Sequence, residues 1–228
     1  MLSPEQIRGQ METLTSDLIG LSLCDHQNFP SLRDLGHGLK EVGIRGKENS
    51  SFALRNVPYF VIYKELDRTQ TYNIKMLDGA LLHMMYRFRD NQVQEHRLAF
   101  FPSPDLEEFQ NNPKIYLENE VFAEVTMKNI VPFPLRFDFD CREGVVVEIN
   151  HPKSHLTLGQ YKNCRIPVSA PLTPYHFIDF ILRNFYNTAF KKYCENITNF
   201  EQCFEDTIAD CENKLIFIHI PVRQLEAV

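Results

Sequence analysis

The spacing of the apolar residues changes twice along this chain, and that change constrains its fold more than any other feature. Residues 4–21 place apolar side chains three and four positions apart, as one face of a helix does. Residues 57–101 instead contain β-branched and aromatic runs separated by turn residues, and residues 173–193 return to helical spacing. Separate segments of both periods predict an α+β protein.

Residues 1–50 are predicted to be a helical amino-terminal part. Ser3 can cap a first helix over residues 4–21, and Pro4 suits its first turn. Gly43 and Gly46 are expected to end this part of the chain. A second, short helix is predicted through four residues with similar spacing, Ser31, Leu32, Leu35 and Leu39.

Residues 51–168 are predicted to form an antiparallel, mostly meandering sheet. Asp78-Gly79 and Asp90-Asn91 are turn signals between its strands. An acidic, Asn-rich segment over residues 105–120 is expected to form a short helix and an exposed loop. The first four strands are predicted at residues 57–64, 72–76, 80–88 and 93–101.

Residues 173–228 are predicted to contribute a long helix and a last strand. Thr173 can cap this helix, Pro174 fits its first position, and a wide apolar stripe continues to Tyr193. Residues 214–222 are predicted to be a buried strand. We therefore expect one α+β domain over residues 1–228, with the sheet packed against the N-terminal helix and the long C-terminal helix.

Residues 135–140 and 145–150 both alternate apolar and polar side chains, which predicts a β-hairpin with Arg142-Glu143-Gly144 as its loop. In that register Phe137 lies opposite Ile149 on an apolar face, and Asp138 lies opposite Glu148 on the other face. The predicted polar face consists of Arg136, Asp138, Asp140, Glu148 and Asn150.

Three carboxylates and two imidazoles within twenty residues are candidate ligands for a divalent cation such as Mg²⁺, Mn²⁺ or Zn²⁺. Such a cation would offset the repulsion between Asp138 and Glu148, and it would activate water against a phosphodiester. The alternative is a solvated sheet face in which Arg136 neutralises an acid. The predicted metal ligands are Asp138, Glu148, His151 and His155, and the candidate catalytic residues are the same four with Asp140.

Other catalytic templates are absent from the sequence. It contains no G-x-S-x-G elbow, no G-x-x-x-x-G-K-[ST] phosphate loop and no G-x-G-x-x-G after a strand, so any ATP-driven step is expected from a partner. No C-x-x-C pair occurs among the six cysteines, which are predicted to be free thiols. A nucleophilic pair of Cys164 and His155 is not favoured by any spacing.

The net charge of −6 argues against a surface built throughout to bind nucleic acid, and leaves only local basic patches. The amino terminus has neither the basic nor the apolar region of a secretory signal, and no apolar run reaches 18 residues. We therefore expect a cytoplasmic protein with no membrane partner. The candidate basic patches are Arg87-Phe88-Arg89 with Arg97, and Arg183 with Lys191 and Lys192.

Three motifs in the second half carry a family resemblance. They are His151-Pro152-Lys153-Ser154-His155-Leu156-Thr157-Leu158-Gly159, then Cys164-Arg165-Ile166-Pro167-Val168, then Pro171-Leu172-Thr173-Pro174 before the helix. Over residues 137–186 above all, and in length and layout, the chain resembles an uncharacterised bacterial domain-of-unknown-function family. Its members are found beside a helicase gene in antiphage-defence islands.

The resemblance implies a two-component antiviral defence system in which the helicase supplies the ATP-driven step. It carries over no catalytic residue. We therefore expect a subunit that acts with that helicase through protein and nucleic-acid (DNA or RNA) interaction, with Arg136, Lys153 and Arg165 as candidate binding residues. The alternatives are a metal-dependent nuclease effector, and a ligand-sensing regulator with a cavity beneath Phe177 and Phe185.

Overall fold

A computed structural model of the protein describes residues 2–46, 56–105, 121–125, 132–161 and 163–221, together with Lys114 and Glu118. The described helices are α1 (Pro4–Gly20), α2 (Tyr59–Arg68), α3 (Pro174–Phe185) and α4 (Asn187–Tyr193). The described strands are β1 (Cys24–Gln27), β2 (Ser31–Gly36), β3 (Leu39–Gly43), β4 (Ile74–Met76), β5 (Leu81–Arg89), β6 (Gln92–Phe101), β7 (Leu135–Asp140), β8 (Ser154–Leu158) and β9 (Ile166–Pro167).

The nine strands form one antiparallel sheet in the order β1-β4-β5-β6-β7-β8-β9, with β3 also paired to β5 and β2 paired to β3. Strands β4 to β7 follow one another as a meander, and β8 and β9 extend it. The predicted α+β class with a mostly meandering antiparallel sheet is confirmed. The turns at Asp78-Gly79 and Asp90-Asn91 also lie where the sequence predicts them, between β4 and β5 and between β5 and β6.

Both principal helices begin at the residues expected from their caps. The Ser3 hydroxyl accepts a hydrogen bond from the Gln6 amide at 3.2 Å, and the Ser3 amide donates to the Gln6 side chain at 2.8 Å, so α1 opens with a reciprocal capping box. The Thr173 hydroxyl accepts from the His176 amide at the start of α3. The predicted long helix is interrupted at Tyr186, where φ is −130° and α3 gives way to α4.

The two faces of the sheet are covered differently. Helices α1 and α3 pack on one face and enclose the main core, to which β5, β6 and β7 contribute Tyr86, Leu98 and Phe137. In the part of the chain that the structure describes, helix α2 covers one end of the opposite face, where Ile62 and Leu66 pack with side chains such as Phe101. The rest of that second face carries mostly polar side chains, and the candidate site lies there.

The predicted short helix through Ser31 and Leu39 is wrong, and with it the helical reading of residues 22–43. These residues form β1 and the hairpin of β2 and β3. The hairpin turns at Gly36-His37-Gly38, where all three residues have positive φ. The backbone of Gly38 has a φ of +73°, which residues with a side chain rarely adopt, so the turn favours glycine there.

The predicted strand at residues 57–64 is also wrong, because Tyr59–Arg68 is helix α2. Its buried residues Ile62, Tyr63 and Leu66 are one and three positions apart, which suits one helical face. Most of the helix and loop predicted at residues 105–120 lies outside the described residues.

Two further predictions about strand pairing are corrected. Strand β7 is present at the predicted residues, but its partners are β6 and β8, and residues 145–150 are not a strand. The side chains of Val147 and Ile149, expected on the apolar face, are 52% and 48% exposed. Of the last predicted strand, the described residues up to Pro221 form only an isolated parallel bridge between Ile218 and Val168, and Ile216 is 93% exposed.

Candidate functional site: a polar cavity on the sheet

The polar side chains of the second sheet face lie in rows across neighbouring strands. One row runs from Glu41 on β3 through Arg87 on β5 and Glu95 on β6 to Asp140 on β7. The next row contains Arg97 on β6, Asp138 on β7 and His155 on β8, and the row after that pairs Arg136 with Thr157. Because side chains alternate between the faces of a strand, these residues all face away from α1 and α3.

A cavity of about 660 Å³ opens on this face. We call it the polar cavity. Its floor is formed by strands β6, β7 and β8, and its walls come from the connecting segments around residues 142–151 and 159–165. The charged and imidazole side chains that line it are Glu95, Arg97, Arg136, Asp138, Asp140, Arg142, His151, His155 and Arg165.

The row nearest the β5–β6 turn is a chain of alternating charges. Glu41 pairs with Arg33 and accepts from Arg87 Nε at 2.8 Å, and Arg87 Nη1 reaches Glu95 Oε2 at 3.1 Å. Arg142 Nη2 lies 3.6 Å from the same Glu95 oxygen. The carboxylates of this row are therefore already compensated by arginines of the protein.

Asp140 belongs to this compensated group. Arg142 Nε donates to Asp140 Oδ1 at 2.9 Å, and the Arg142 amide donates to the same oxygen at 3.0 Å. Burial by itself would raise the pKa of Asp140, but the hydrogen bonds from Arg142 outweigh it and hold that pKa below its usual range. Asp140 is thus an ionised partner of Arg142.

Asp138 stands between two guanidinium groups in the next row. Its Oδ1 lies 3.4 Å from Arg97 Nε, and its Oδ2 lies 3.2 Å from Arg136 Nη2. The Arg136 side chain is only 6% exposed. Burial lowers the pKa of Arg136; Asp138 opposes that shift, while the positive charges of Arg97 and Arg165 add to it. One carboxylate therefore serves two arginines, and this part of the cavity has an excess of positive charge.

His155 is the imidazole that faces this group. Its Nδ1 lies 2.9 Å from the Pro152 carbonyl, so Nδ1 carries the proton and Nε2, which is 3.9 Å from Asp138 Oδ2, is a hydrogen-bond acceptor. Burial lowers the pKa of His155, and the charge of Asp138 opposes this. The His151 ring lies beside it, with the ring centroids 5.1 Å apart, and its Nδ1 is 2.6 Å from the Val145 carbonyl.

The structure brings together only part of the predicted site. Arg136, Asp138, Asp140, His151, His155 and Arg165 all line the polar cavity. Glu148, Asn150 and Lys153 are exposed and lie outside its lining, and Glu148 Oε2 instead accepts from the Cys211 thiol at 3.5 Å. The residue opposite Asp138 is His155 and not Glu148.

The predicted metal ligands do not form a recognisable metal centre. Within the ranges that the structure describes, no group of three or more His, Cys, Asp or Glu side chains has an arrangement that can hold a metal ion. The six cysteines are free thiols. Cys164 lines the cavity with His155, but no hydrogen bond joins the two among the described contacts.

Sequence reasoning missed several residues of the cavity. The sequence predicts a basic patch that contains Arg97 and Arg87, although both form ion pairs with acids on the sheet. It also predicts Arg142 in a hairpin loop. One sequence signal could have identified Arg97. Glu95 and Arg97 alternate with apolar residues on β6, just as Arg136, Asp138 and Asp140 do on β7, so pairing the two strands places all five on one face. The polar lining residues Gln160 and Tyr161 lie in a connection and carried no periodic signal.

None of the helices in the described residues is both long and apolar enough to cross a membrane. Neither a curated protein nor a solved structure matches the chain. A sequence profile of uncharacterized conserved proteins, DUF2290, matches residues 23–220, which include every strand and the polar cavity. The chain therefore belongs to the DUF2290 family of uncharacterized conserved proteins.

Proposed function

We propose that this protein is an antiviral-defence subunit that acts with a helicase encoded nearby and contacts nucleic acid through the polar cavity. The antiphage context comes from the family resemblance set out above. The structural observation that supports the proposal is the pair Arg97 and Arg136 around a single carboxylate, Asp138, on the floor of an open cavity. Guanidinium groups presented in this way suit the phosphates of DNA or RNA.

The contacts of the acidic residues favour binding over catalysis. A metal-dependent nuclease needs carboxylates that are available to a cation, whereas Asp138 and Asp140 are each occupied by arginines. Glu148 points to Cys211 outside the cavity. The charge set around Asp138 attracts anions, which is the opposite of a cation site.

The contacts of the aromatic residues also favour nucleic-acid binding over the alternative of a regulator that senses a ligand in an apolar cavity. Phe177 is fully buried and its ring lies 6.4 Å from that of Phe137, and the Phe185 ring lies 4.8 Å from that of Phe100. These rings fill the space between α3 and the sheet with side chains of the protein itself.

The experiment is co-expression with the neighbouring helicase. We expect the two proteins to co-elute in size-exclusion chromatography, and we expect this subunit to change the helicase's ATPase or unwinding rate on DNA or RNA. Arg165→Gln in the cavity should weaken that effect, and Arg8→Gln on α1, outside the cavity and both candidate basic patches, should not. Two proteins that elute separately, with helicase rates unchanged, would refute the proposal.

A parallel assay addresses the nuclease alternative. The purified subunit is incubated with DNA and RNA in Mg²⁺ or Mn²⁺, with and without the helicase, beside an Asp138→Ala variant. We expect no cleavage in any arm. Cleavage by the wild-type protein that Asp138→Ala abolishes would establish the nuclease and overturn the binding role.

A further inference from the structure

The polar cavity is a bounded pocket, and this limits which part of a nucleic acid it can take. Its volume of about 660 Å³ lies within the usual range for small-molecule sites, roughly 300 to 1,000 Å³. A protein that binds a continuous strand instead presents a charged groove that follows the backbone over several nucleotides. A pocket of this size suits one or two nucleotides that enter by their end.

One of the cationic groups that line this pocket, Arg136, is buried. Arg136 is 5% exposed as a residue and sits on β7, in the middle of the cavity floor, next to Thr157 on β8. A guanidinium with so little exposed surface is easier to reach for a terminal phosphate than for a phosphodiester that runs along the protein surface, because a terminal phosphate has no second ester to hold it outside.

The charge arrangement fits a dianion. The Asp138 carboxylate lies 3.4 Å from Arg97 Nε and 3.2 Å from Arg136 Nη2. Both guanidinium groups therefore lie beside the same carboxylate, whose single charge neutralises only one of them. Arg165 contributes a third guanidinium from the cavity wall. A phosphomonoester carries close to two negative charges and three terminal oxygens, and planar guanidinium groups bind such oxygens in pairs.

The other lining residues suit the nucleoside that carries the phosphate. The unprotonated Nε2 of His155 can accept a hydrogen bond from a sugar hydroxyl. Tyr161, whose side chain is 74% exposed at the cavity wall, offers a ring on which a base can stack.

From this geometry we infer that the polar cavity is a binding site for a nucleotide phosphomonoester, with Arg97, Arg136 and Arg165 as the phosphate-binding residues. The inference rests on the proposed function, since it takes the cavity as the contact with nucleic acid. The phosphate can belong to the end of a DNA or RNA strand or to a free nucleoside monophosphate, and the experiment distinguishes these sources.

The experiment measures binding of the full chain to fluorescent oligonucleotides that carry a phosphate at the 5′ end, at the 3′ end or at neither. We expect one phosphorylated form to bind about 10- to 100-fold more tightly than the unphosphorylated form, which is the contribution of charge-assisted hydrogen bonds. Arg136→Gln should remove that preference. Arg8→Gln, a part-exposed arginine paired with Glu12 on α1 and outside both candidate basic patches, is the matched control and should retain it.

Thermal unfolding checks that each variant is folded, and Arg165→Gln, at a more exposed position, repeats the test if Arg136→Gln does not fold. Equal binding of all oligonucleotides by the wild-type protein would overturn the phosphomonoester site while leaving the proposed nucleic-acid contact intact. Binding of nucleoside monophosphates but of no oligonucleotide would support the site and refute the nucleic-acid role. Binding of none of these ligands would overturn both.

Discussion

His96, at the centre of β6, controls a predictable part of the protein's stability toward acid. The residue is 1% exposed, and its Nε2 accepts a hydrogen bond from the Leu172 amide at 3.1 Å. Protonation would place a charge in the core between the rings of Tyr86 and Phe139, and it would put an N–H where an acceptor is needed. Burial, the largest cause, lowers the pKa of His96 to about 3.

The sign and size of the effect follow from proton linkage. A histidine with a depressed pKa stabilises the fold fully at pH values above its unfolded-state pKa, and that stability is lost as the pH falls from there toward the folded-state pKa. The pKa of His96 is near 6.5 in the unfolded state and about 3 in the folded state, so at about pH 5 this residue should lower the free energy of unfolding by about 2 kcal/mol. His83, whose pKa burial lowers to about 4, should add about 2 kcal/mol at the same pH.

The assay is urea unfolding at about pH 7.5 and about pH 5. The variant is His96→Gln, whose side-chain oxygen can accept from the Leu172 amide without titrating. We expect the loss of unfolding free energy between the two pH values to be about 2 kcal/mol smaller in His96→Gln than in the wild-type protein. His37→Asn, in the exposed β2–β3 turn, should lose as much as the wild-type protein. An identical loss in His96→Gln and the wild-type protein would refute the reasoning.

Four substitutions test other parts of the structure by the same urea assay at neutral pH. Phe177→Ala should lower the unfolding free energy by about 3 to 5 kcal/mol, because the ring is fully buried in the core. Ile216→Ala should change it by less than about 0.5 kcal/mol, since Ile216 is 93% exposed. A larger loss would support the buried strand that the sequence predicts. Ser3→Ala should cost about 1 kcal/mol by removing the cap of α1, and an unchanged midpoint would contradict the capping box. Asp138→Asn should cost about 3 kcal/mol because it leaves the buried Arg136 without a carboxylate, and a neutral result would show that Arg136 has another counter-charge.

The elements that the sequence predicted correctly are those with a local chemical marker at their boundary. Ser3 and Thr173 mark the starts of α1 and α3, because a side-chain oxygen that caps an amide is a contact between neighbours in sequence. The turns before and after β5 are marked by Asp-Gly and Asp-Asn for the same reason. Such markers need no knowledge of the rest of the fold.

The wrong secondary-structure predictions concern short segments whose side chains are compatible with both a helix and a strand. Ser31 to Leu39 has apolar residues at helical spacing, but Gly36 and Gly38 in the left-handed region make a hairpin turn instead. Helix α2 is rich in β-favouring residues, and its identity is decided by the burial of Ile62 and Leu66 against the end of the sheet. That burial depends on strands far away in the sequence and cannot be inferred from ten residues alone.

At the candidate site, the sequence predicts the polar face of β7 correctly but the wrong partner strand for it, and this error changes the predicted chemistry. Alternation along β7 places Arg136, Asp138 and Asp140 on one side whichever strand lies beside it. Pairing with residues 145–150 put Glu148 opposite Asp138, and two facing carboxylates call for a cation. Pairing with β6 and β8 puts Arg97 and His155 there instead, so the carboxylate is compensated within the sheet and the excess charge is positive. The charge around Asp138 therefore favours an anion over a cation, and for this reason we propose a phosphate site here and not a metal site.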